Sequence, residues 1–198
     1  MVKSLKQLRE DARACQDCPL WANATQTVFG AGDPHARVML VGEQPGDEED
    51  KQGLPFVGPA GKLLDRALEA AGVDREQLYV TNAVKHFKWR LRGKRRLHKT
   101  PAQREVDACH QWLEREIAAV KPKVVVALGA TAARALISKD FKVSLQRGQF
   151  VESPLAPFVF ATLHPSALLR VQEAAEREAA FKQFVKDLSL IRKALARN

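Results

Sequence analysis

Residues 37–47 read RVMLVGEQPGD, an apolar run followed by a turn rich in glycine, proline and acidic side chains. The run at 37–41 is apolar nearly throughout, as expected of a strand that is buried on both faces of a parallel sheet. The same composition recurs at residues 78–82 (LYVTN), 123–128 (KVVVAL) and 158–163 (FVFATL). The sequence therefore predicts four buried strands.

Helical stretches alternate with these predicted strands. The longest, residues 101–120, follows Thr100, which can cap it, and has Pro101 at its first position, where proline is favoured. This alternation is typical of a three-layer α/β/α sandwich whose central layer is a four-stranded parallel sheet. The length of 198 residues suits a single domain over residues 1–198. The predicted helices lie at 61–71, 101–120, 131–137 and 174–196.

Polar residues follow each predicted strand at its carboxyl end. Glu43 comes after the first strand and Asn82 closes the second, whereas Thr131 follows the third and His164 the fourth. In open parallel sheets, ligands bind beyond the carboxyl ends of the strands. We therefore expect these residues to contribute to one site.

Positive charge is concentrated in one segment of the chain. The formal net charge is +9, and residues 85–99 contain eight lysines and arginines and no acidic residue, interleaved with Phe87 and Trp89. Such a patch fits phosphate binding, although a solvated loop or a contact with an acidic protein explains the charge as well. Residues 87–100 also form the longest region predicted to be irregular, and long loops are often functional.

The composition indicates a cytoplasmic protein with no membrane partner. No apolar run approaches the ~20 residues of a membrane helix, and the N-terminal segment is polar and helix-like, without the apolar core of a signal peptide. In such a chain Cys15, Cys18 and Cys109 argue against a disulfide framework and leave metal binding or catalysis open. Cys109 is equally explained as a buried thiol on the predicted helix 101–120.

Three further residues each have two explanations on the sequence alone. Phe56, in an apolar glycine-rich loop, either stacks on a base or packs in the core. The side-chain amide of Asn82 either pairs with a base edge, using a donor and an acceptor, or closes a turn. His164, in the proline-stiffened segment His164-Pro165-Ser166, is either catalytic or structural.

Taken in order, the motifs resemble those of the family 4 uracil-DNA glycosylases, which carry a four-iron, four-sulfur cluster. The resemblance extends from about residue 15 to residue 170 with order and rough spacing kept. It implies a uracil-DNA glycosylase fold, excision of uracil from DNA, and a cluster of the 4Fe-4S type. The matching motifs are Cys15-x-x-Cys18, GEQPGDEED at 42–50, PFVGPAGKLLD at 55–65, Asn82-x-x-Lys85, Cys109 and His164-Pro165-Ser166.

Three departures from the family 4 pattern resemble the UdgX branch, in which a histidine of a KRR-x-H loop attaches covalently to the abasic sugar. Gln44 stands where family 4 usually has a small residue, and His86 replaces a cysteine ligand. An additional basic stretch contains KRRLH at residues 94–98. The resemblance then implies that His98 attacks C1′, that Glu43 holds the other ring nitrogen of His98, and that the enzyme is a single-turnover trap.

The resemblance also implies roles for the remaining residues. Phe56 stacks on uracil, Asn82 pairs with its O4 and N3–H edge, and His164 donates a hydrogen bond to O2. Gln44 or Asp47 is expected near the base, where it would exclude the thymine methyl. The implied phosphate-binding residues are Lys94, Arg95, Arg96, Ser166 and Arg170, with a wedge among residues 168–170. The implied cluster ligands are Cys15, Cys18, His86 and Cys109.

The substrate implied by this assignment is uracil-containing DNA, with single strands preferred because a base inside a duplex must first be flipped out. We expect the protein to act as a monomer. A conventional, multiple-turnover family 4 glycosylase, with His98 as a simple DNA contact, is the main alternative. A non-catalytic nucleic-acid-binding module is a second. A nucleotide-binding protein is disfavoured because neither a GxGxxG nor a GxxxxGK[ST] pattern is present.

Overall fold

The computed structural model describes residues 3–197. Its strands are β1 Ala31–Gly32, β2 Val38–Gly42, β3 Leu78–Asn82, β4 Trp89–Arg92, β5 Arg95–His98, β6 Val124–Leu128, β7 Phe150–Val151 and β8 Phe158–Thr162. Its helices are α1 Leu5–Arg13, α2 Asp47–Gln52, α3 Pro59–Ala70, α4 Gln103–Val120, α5 Ala130–Leu136, α6 Val143–Gln146, α7 Pro165–Leu169, α8 Ala174–Leu188 and α9 Leu190–Ala196. Single 3₁₀ turns cover Pro19–Ala22 and Arg75–Gln77.

The central sheet has six strands in the order β1-β3-β2-β6-β8-β7, not the four that the sequence predicted. Strands β3, β2, β6 and β8 are mutually parallel and correspond to the four predicted runs. The two additional strands pair antiparallel at the edges, β1 with β3 and β7 with β8. Each edge strand has only two residues, too few to show a periodic pattern in the sequence.

Alternate residues of the parallel strands enter two separate cores. Leu40, Val80 and Val126 face a core closed by α3, α8 and α9, whereas Met39 and Val125 face a second core closed by α4 and α5. This alternation follows from the two-residue period of a strand. The predicted three-layer α/β/α arrangement is therefore observed, with helix α1 packed against the outer side of α4.

Several predicted helix boundaries were wrong. Helix α3 begins at Pro59 rather than at residue 61, because Pro59 occupies its first position. Helix α4 begins at Gln103, because the Glu105 side chain accepts a hydrogen bond from the Ala102 amide, so Thr100 does not cap it. The C-terminal helix is divided at Ser189, whose hydroxyl donates to the Lys186 carbonyl, a side-chain bond that bends helices. None of the helices within residues 3–197 is long and apolar enough to span a bilayer.

The basic segment is an antiparallel hairpin rather than an irregular loop. Strands β4 and β5 pair Trp89 with His98 and Arg92 with Arg95. Their two-residue link is Gly93-Lys94, and only Gly93 has a positive φ, of 61°, as in a type II′ turn, where glycine occupies the first central position. At the base of the hairpin, the Lys99 amide donates to the Lys88 carbonyl over 2.9 Å.

Candidate active site

The parallel register brings the carboxyl ends of four strands to one edge of the sheet. Gly42 of β2 lies opposite Asn82 of β3, and Leu128 of β6 lies opposite Thr162 of β8. The Gly129 amide then donates to the Thr162 carbonyl over 2.9 Å, which keeps the next two loops together. The turns that follow these strands therefore face a common volume, as the strand-end pattern predicted.

Glu43 is held from two sides at this edge. Its Oε1 lies 3.1 Å from His98 Nε2, and its Oε2 accepts a hydrogen bond from the Thr131 hydroxyl. The Glu43 side chain is 20% exposed and His98 is 49% exposed, so the imidazole lies on the solvent side of the carboxylate. Burial alone would raise the pKa of Glu43, but the hydrogen bonds from His98 and Thr131 outweigh it and keep that pKa below its ordinary value.

Gln44 clamps the base of the hairpin that carries His98. Its Nε2 donates to the carbonyls of Lys88 and Lys99, at 3.3 and 3.1 Å, and its Oε1 accepts from the Lys88 amide at 3.0 Å. Gln44 is buried. The structure therefore directs this amide to backbone groups at both ends of the hairpin, whereas the sequence predicted a contact with uracil.

Arg96 attaches the hairpin to helix α2. Its Nε donates to Asp47 over 2.6 Å and its Nη1 to Asp50 over 2.7 Å, and Asp50 is fully buried. The guanidinium also lies over the rings of Phe87 and Trp89, 5.5 and 5.4 Å from their centroids. Arg96 and Asp47, which the sequence assigned to phosphate and to uracil, are therefore paired with each other.

The hydrogen bonds of His164 define its tautomer. The Ser166 amide donates to Nδ1 over 3.2 Å, so Nδ1 is the unprotonated nitrogen and Nε2 carries the hydrogen. The Ser166 hydroxyl lies 2.8 Å from the same Nδ1. Burial lowers the pKa of His164 to about 4. At neutral pH the ring is therefore an uncharged N–H donor, and Ser166, predicted to bind phosphate, contributes to its orientation.

The loop that carries Phe56 is fixed by Glu49. This buried carboxylate accepts the amide hydrogens of Gly46 and Gly58, at 3.1 and 2.8 Å, and so joins the start of α2 to the start of α3. Phe56 itself has a positive φ of 57°, which non-glycine residues rarely adopt. A side chain at Gly61 would collide with the Phe56 carbonyl. Helix α3 therefore packs directly against this strained residue.

Phe56 lies beside both His164 and Asn82. The ring centroids of Phe56 and His164 are 6.1 Å apart at an interplanar angle of 31°. A Cβ at Gly42 would come within 2.6 Å of Phe56 Cζ and closer still to Asn82 Oδ1. Gly42 thus has no side chain because the aromatic ring and the amide both approach its Cα.

Helix α7 follows His164 and places neighbouring residues in different environments. Leu168 is in the core with 1% exposure, so it cannot form the predicted wedge. Leu169 is 46% exposed, and Arg170 follows it as an exposed C-cap residue. The exposed end of α7 is therefore Leu169-Arg170.

The three cysteines border one apolar cluster. Cys109 is buried in it, and Cys15 and Cys18 pack against it. Cys109 Sγ accepts a hydrogen bond from the Lys85 amide and Cys15 Sγ accepts one from Trp112 Nε1, both at 3.2 Å. Burial raises the pKa of the Cys109 thiol to about 12. Over the described residues 3–197, no three His, Cys, Asp or Glu side chains surround a single point closely enough for one metal ion.

His86 shares a cleft of about 160 Å³ with Cys15. Its Nε2 is 2.9 Å from the Thr27 hydroxyl, and that hydroxyl lies 3.1 Å from the Ala12 carbonyl, which can only accept. Thr27 therefore gives its hydrogen to Ala12 and accepts one from His86 Nε2. The Nδ1 atom of His86 keeps a free lone pair, and burial lowers the pKa of the ring.

Beneath the site lies a buried ion pair that the sequence did not reveal. Lys85 Nζ lies 2.5 Å from Glu116 and 2.7 Å from the Asn82 carbonyl. Glu116 also accepts from the Tyr79 hydroxyl and from the Thr81 hydroxyl. Both members of the pair are at most 1% exposed. In the sequence, the position of Lys85 three residues after a strand was only weak evidence for a buried ion pair. The only sequence evidence for a role of Thr131 was its place after a strand.

The family model of the uracil DNA glycosylase superfamily matches residues 29–189 of this chain. The chain belongs to the uracil DNA glycosylase superfamily. It is therefore a DNA N-glycosylase, and the matched region contains the whole edge of the sheet described above, including the hairpin.

Several members of the superfamily are similar over most of this chain. The type-4 uracil-DNA glycosylase of Thermotoga maritima is 37% identical over 185 residues, which cover 93% of each chain. That of Sulfurisphaera tokodaii is 37% identical over 178 residues, 85% of this chain and 77% of the relative. The type-5 uracil-DNA glycosylase of Pyrobaculum aerophilum is 32% identical over 165 residues, 75% of this chain and 69% of the relative.

Proposed function

We propose that this superfamily member excises uracil from DNA and that His98 then captures the resulting sugar covalently. The relatives named type-4 uracil-DNA glycosylases support the excision. The capture rests on one observation, the half-exposed imidazole of His98 held 3.1 Å from the largely buried Glu43 carboxylate, on its solvent side. The proposed substrate is single-stranded uracil-containing DNA, taken up by a monomer.

The pocket residues account for base selection. Phe56 offers an aromatic face on which uracil stacks, an interaction worth about 1–3 kcal/mol per base. The Asn82 amide presents both a donor and an acceptor, which match O4 and N3–H of uracil and mismatch cytosine. The clamp formed by Gln44 leaves its amide engaged with the hairpin, so we assign it to holding His98 rather than to excluding thymine.

His164 supplies the stabilisation of the leaving group. As the C1′–N1 bond breaks, its electron pair goes to uracil, and negative charge develops on O2. The Nε2–H of a neutral imidazole donates to that oxygen, and the Ser166 amide on Nδ1 keeps the ring in the required tautomer. A donor oriented before the reaction lowers the barrier because it does not have to reorganise as charge develops.

In the capture step, the nitrogen of His98 that Glu43 does not hold gives its lone pair to C1′. The new N–C1′ bond replaces the broken C1′–N1 bond, and the imidazole becomes a cation. The proton on the other nitrogen then passes through Glu43 to solvent and finally to the uracil anion, which leaves as neutral uracil. Capture consumes the histidine, so each protein molecule reacts once.

The cysteines and His86 fit the 4Fe-4S cluster that the family resemblance implies. The three cysteines border one apolar cluster, and His86 lines a cleft together with Cys15, so all four side chains belong to one region of the molecule. The N–H donors on Cys15 and Cys109 suit thiolate sulfurs, and the free Nδ1 of His86 suits iron. We assign Cys15, Cys18, His86 and Cys109 as ligands. When bound, the cluster joins the N-terminal segment to α4 and to the chain after β3.

Conventional multiple-turnover excision is the second candidate, and the names of the type-4 relatives favour it. In that reaction water attacks C1′ with help from Glu43, and His98 only contacts DNA. The Glu43–His98 pair favours capture, because the imidazole occupies the side of the carboxylate from which a water molecule would attack.

A denaturing gel distinguishes the two candidates. Protein mixed with uracil-containing single-stranded DNA should give a complex that survives boiling in detergent, with at most one DNA per protein. His98→Ala should lose the complex but still release uracil, because water enters the vacated space. Glu43→Gln should form the complex more slowly. Many turnovers without a stable complex would establish the conventional reaction, and no uracil release at all would overturn both.

Iron analysis tests the cluster separately. The purified protein should be brown and hold about four irons per chain. Cys15→Ala or Cys109→Ala should lose the colour and much of the stability. One zinc per chain and no iron would overturn the assignment.

A further inference from the structure

The hairpin β4–β5 has two chemically different faces. In an antiparallel pair, residues directly opposite each other lie on the same face, and successive residues alternate between faces. Trp89, Arg96 and His98 therefore share one face, which contacts α2 and Glu43. Arg90, Arg92 and Arg95 share the other, together with the partly buried Leu97.

The arginines of the second face are exposed, and none of them pairs with a carboxylate within residues 3–197. Arg96 differs, because its guanidinium is engaged with Asp47 and Asp50. Unpaired guanidinium groups on one side of a hairpin present a positive surface complementary to phosphate, which arginine binds with two parallel hydrogen bonds.

We propose that Arg90, Arg92 and Arg95, which we call the arginine face, bind the backbone phosphates of the DNA strand that flanks the captured nucleotide. This proposal deepens the function proposed above, on which its choice of partner rests. Along β5, Arg95 lies three residues from His98, or about 10 Å at 3.4 Å per residue. The arginine face is thus close to the reacting residue along the strand but lies on the opposite face of the hairpin, so a DNA strand that reaches both must pass around the hairpin edge. Arg96 serves as an internal anchor instead of a phosphate contact.

Binding of a uracil-free single-stranded oligonucleotide tests the arginine face without relying on catalysis. Each phosphate contact contributes about 0.7 to the slope of log affinity against log salt for single strands. Replacing the three arginines by glutamine should reduce that slope by about 2. A matched control removes the same charge elsewhere, with Lys121→Gln, Lys139→Gln and Lys142→Gln, all exposed, and should keep the wild-type slope.

The proposal would be overturned if the triple arginine variant kept the wild-type salt slope, or if the control variant lost as much of that slope as the arginine variant. The arginine face would then be better explained as a contact with an acidic protein. Uracil release at saturating DNA is measured on the same proteins. Failure of wild-type protein to release uracil would count against the proposed function, whereas an unchanged salt slope counts against the arginine face alone.

A second inference concerns Thr131, which the sequence placed at the shared edge of the sheet without assigning it a role. Its hydroxyl bonds one oxygen of Glu43, and the other oxygen faces His98. We propose that Thr131 is a positioning residue, which fixes the Glu43 carboxylate so that one oxygen alone is directed at the nucleophile. This role rests on the proposed part of Glu43 in the reaction.

Single-turnover uracil release, followed against pH, tests this role. Thr131→Val keeps the shape and removes the donor, so release should slow about tenfold. The pKa of Glu43 should rise, so activity should be lost at a higher pH on the acid side. Thr131→Ser should restore both the rate and the pH profile, which a purely structural role for the methyl group would not predict.

Two other titratable groups face Glu43, His98 from the hairpin and His164 from the loop before α7. The Thr131→Val and Thr131→Ser substitutions are therefore also made in a protein that carries His98→Ser. A change in the pH profile of these double variants cannot come from titration of His98. A valine variant with the wild-type rate and the wild-type acid limb would overturn the role of Thr131. Lack of uracil release by the wild-type protein would instead count against the proposed function.

Discussion

Gly42 is the residue that Phe56 and Asn82 both approach at the proposed base-binding site. Because it has no Cβ, Phe56 and the Asn82 amide can both approach its Cα. The strained backbone of Phe56 has its φ at 57° and is kept there by the packing of Gly61. Backbone strain of this kind persists where the surrounding structure fixes it, and often marks functional sites.

Gly42→Ala should therefore abolish most uracil excision without unfolding the protein. The new methyl group would overlap Phe56 Cζ and Asn82 Oδ1, so one of the two must move away from the base. We expect the single-turnover rate to fall at least about a hundredfold, with the far-UV circular dichroism unchanged. Wild-type activity in this variant would mean that the base binds elsewhere.

His164 should make the stability of the protein depend on pH. Burial holds its folded-state pKa at about 4, below the ordinary ~6.5 of the unfolded chain. Its contribution is therefore complete above about pH 6.5 and is lost as the pH falls towards 4, since the unfolded state binds the proton first. Urea titrations at pH 7 and pH 4.5 measure how much unfolding free energy each protein loses on acidification. We expect this loss to be about 2 kcal/mol smaller in His164→Asn than in the wild type. Equal losses would contradict the buried neutral ring.

Among the elements, the hairpin depends on a few side-chain anchors, because its two strands pair only with each other. Gln44 holds its base, and Arg96 attaches its inner face to α2. An isolated two-stranded hairpin is marginally stable in water, so the position of His98 depends on these anchors.

Arg96→Met should loosen the hairpin, whereas Arg95→Met, on the opposite face, should not. The first substitution leaves the buried Asp50 without its cation; the second removes an exposed side chain. Hydrogen exchange of the amides in residues 88–99 should accelerate about tenfold or more in Arg96→Met and stay unchanged in Arg95→Met. Equal exchange in the two variants would show that the ion pair does not hold the hairpin.

The sequence predicted the elements whose pattern is local. The four parallel strands lie within one residue of their predicted bounds, because a strand buried on both faces requires an unbroken apolar run. The hairpin was missed because arginines, exposed or paired, lie on both of its faces. The Gly-Lys link between two four-residue runs was the sequence feature that could have indicated it. The pairing of Arg96 with Asp47 and of Gln44 with the backbone depends on tertiary contacts that no local pattern encodes.

At the scale of the whole molecule, the Lys85–Glu116 pair joins parts that are far apart in sequence. Glu116 on α4 accepts hydrogen bonds from Gly30, Tyr79, Thr81 and Lys85. The burial of Tyr79 and the Glu116 charge beside it raise the pKa of that phenol. The same lysine supplies the amide that bonds Cys109, so this network links the proposed cluster site to the strand that ends at Asn82.

Lys85→Met should destabilise the protein by about 3–5 kcal/mol, since it leaves the Glu116 carboxylate buried without its cation. Lys182→Met removes one member of an exposed pair, Lys182–Glu178, and should change the unfolding free energy little. Chemical denaturation of both variants measures the difference. A small effect of Lys85→Met would mean that Glu116 takes up a proton and stays satisfied by its neutral donors.

The hydrogen bond between the Lys99 amide and the Lys88 carbonyl makes the hairpin a removable module. The chain leaves the domain and returns to it at adjacent points, so residues 89–98 could be replaced by a short turn without moving either flank. The shortened protein would keep Glu43, Asn82 and His164 and would lose His98, the surrounding arginines and the Arg96 contacts to α2, so Asp50 would need a neutral replacement in the same variant. Under the proposed reaction, these ten residues alone would determine whether the glycosylase releases its DNA or stays attached to it. The same segment could then be transplanted onto a relative to change that outcome.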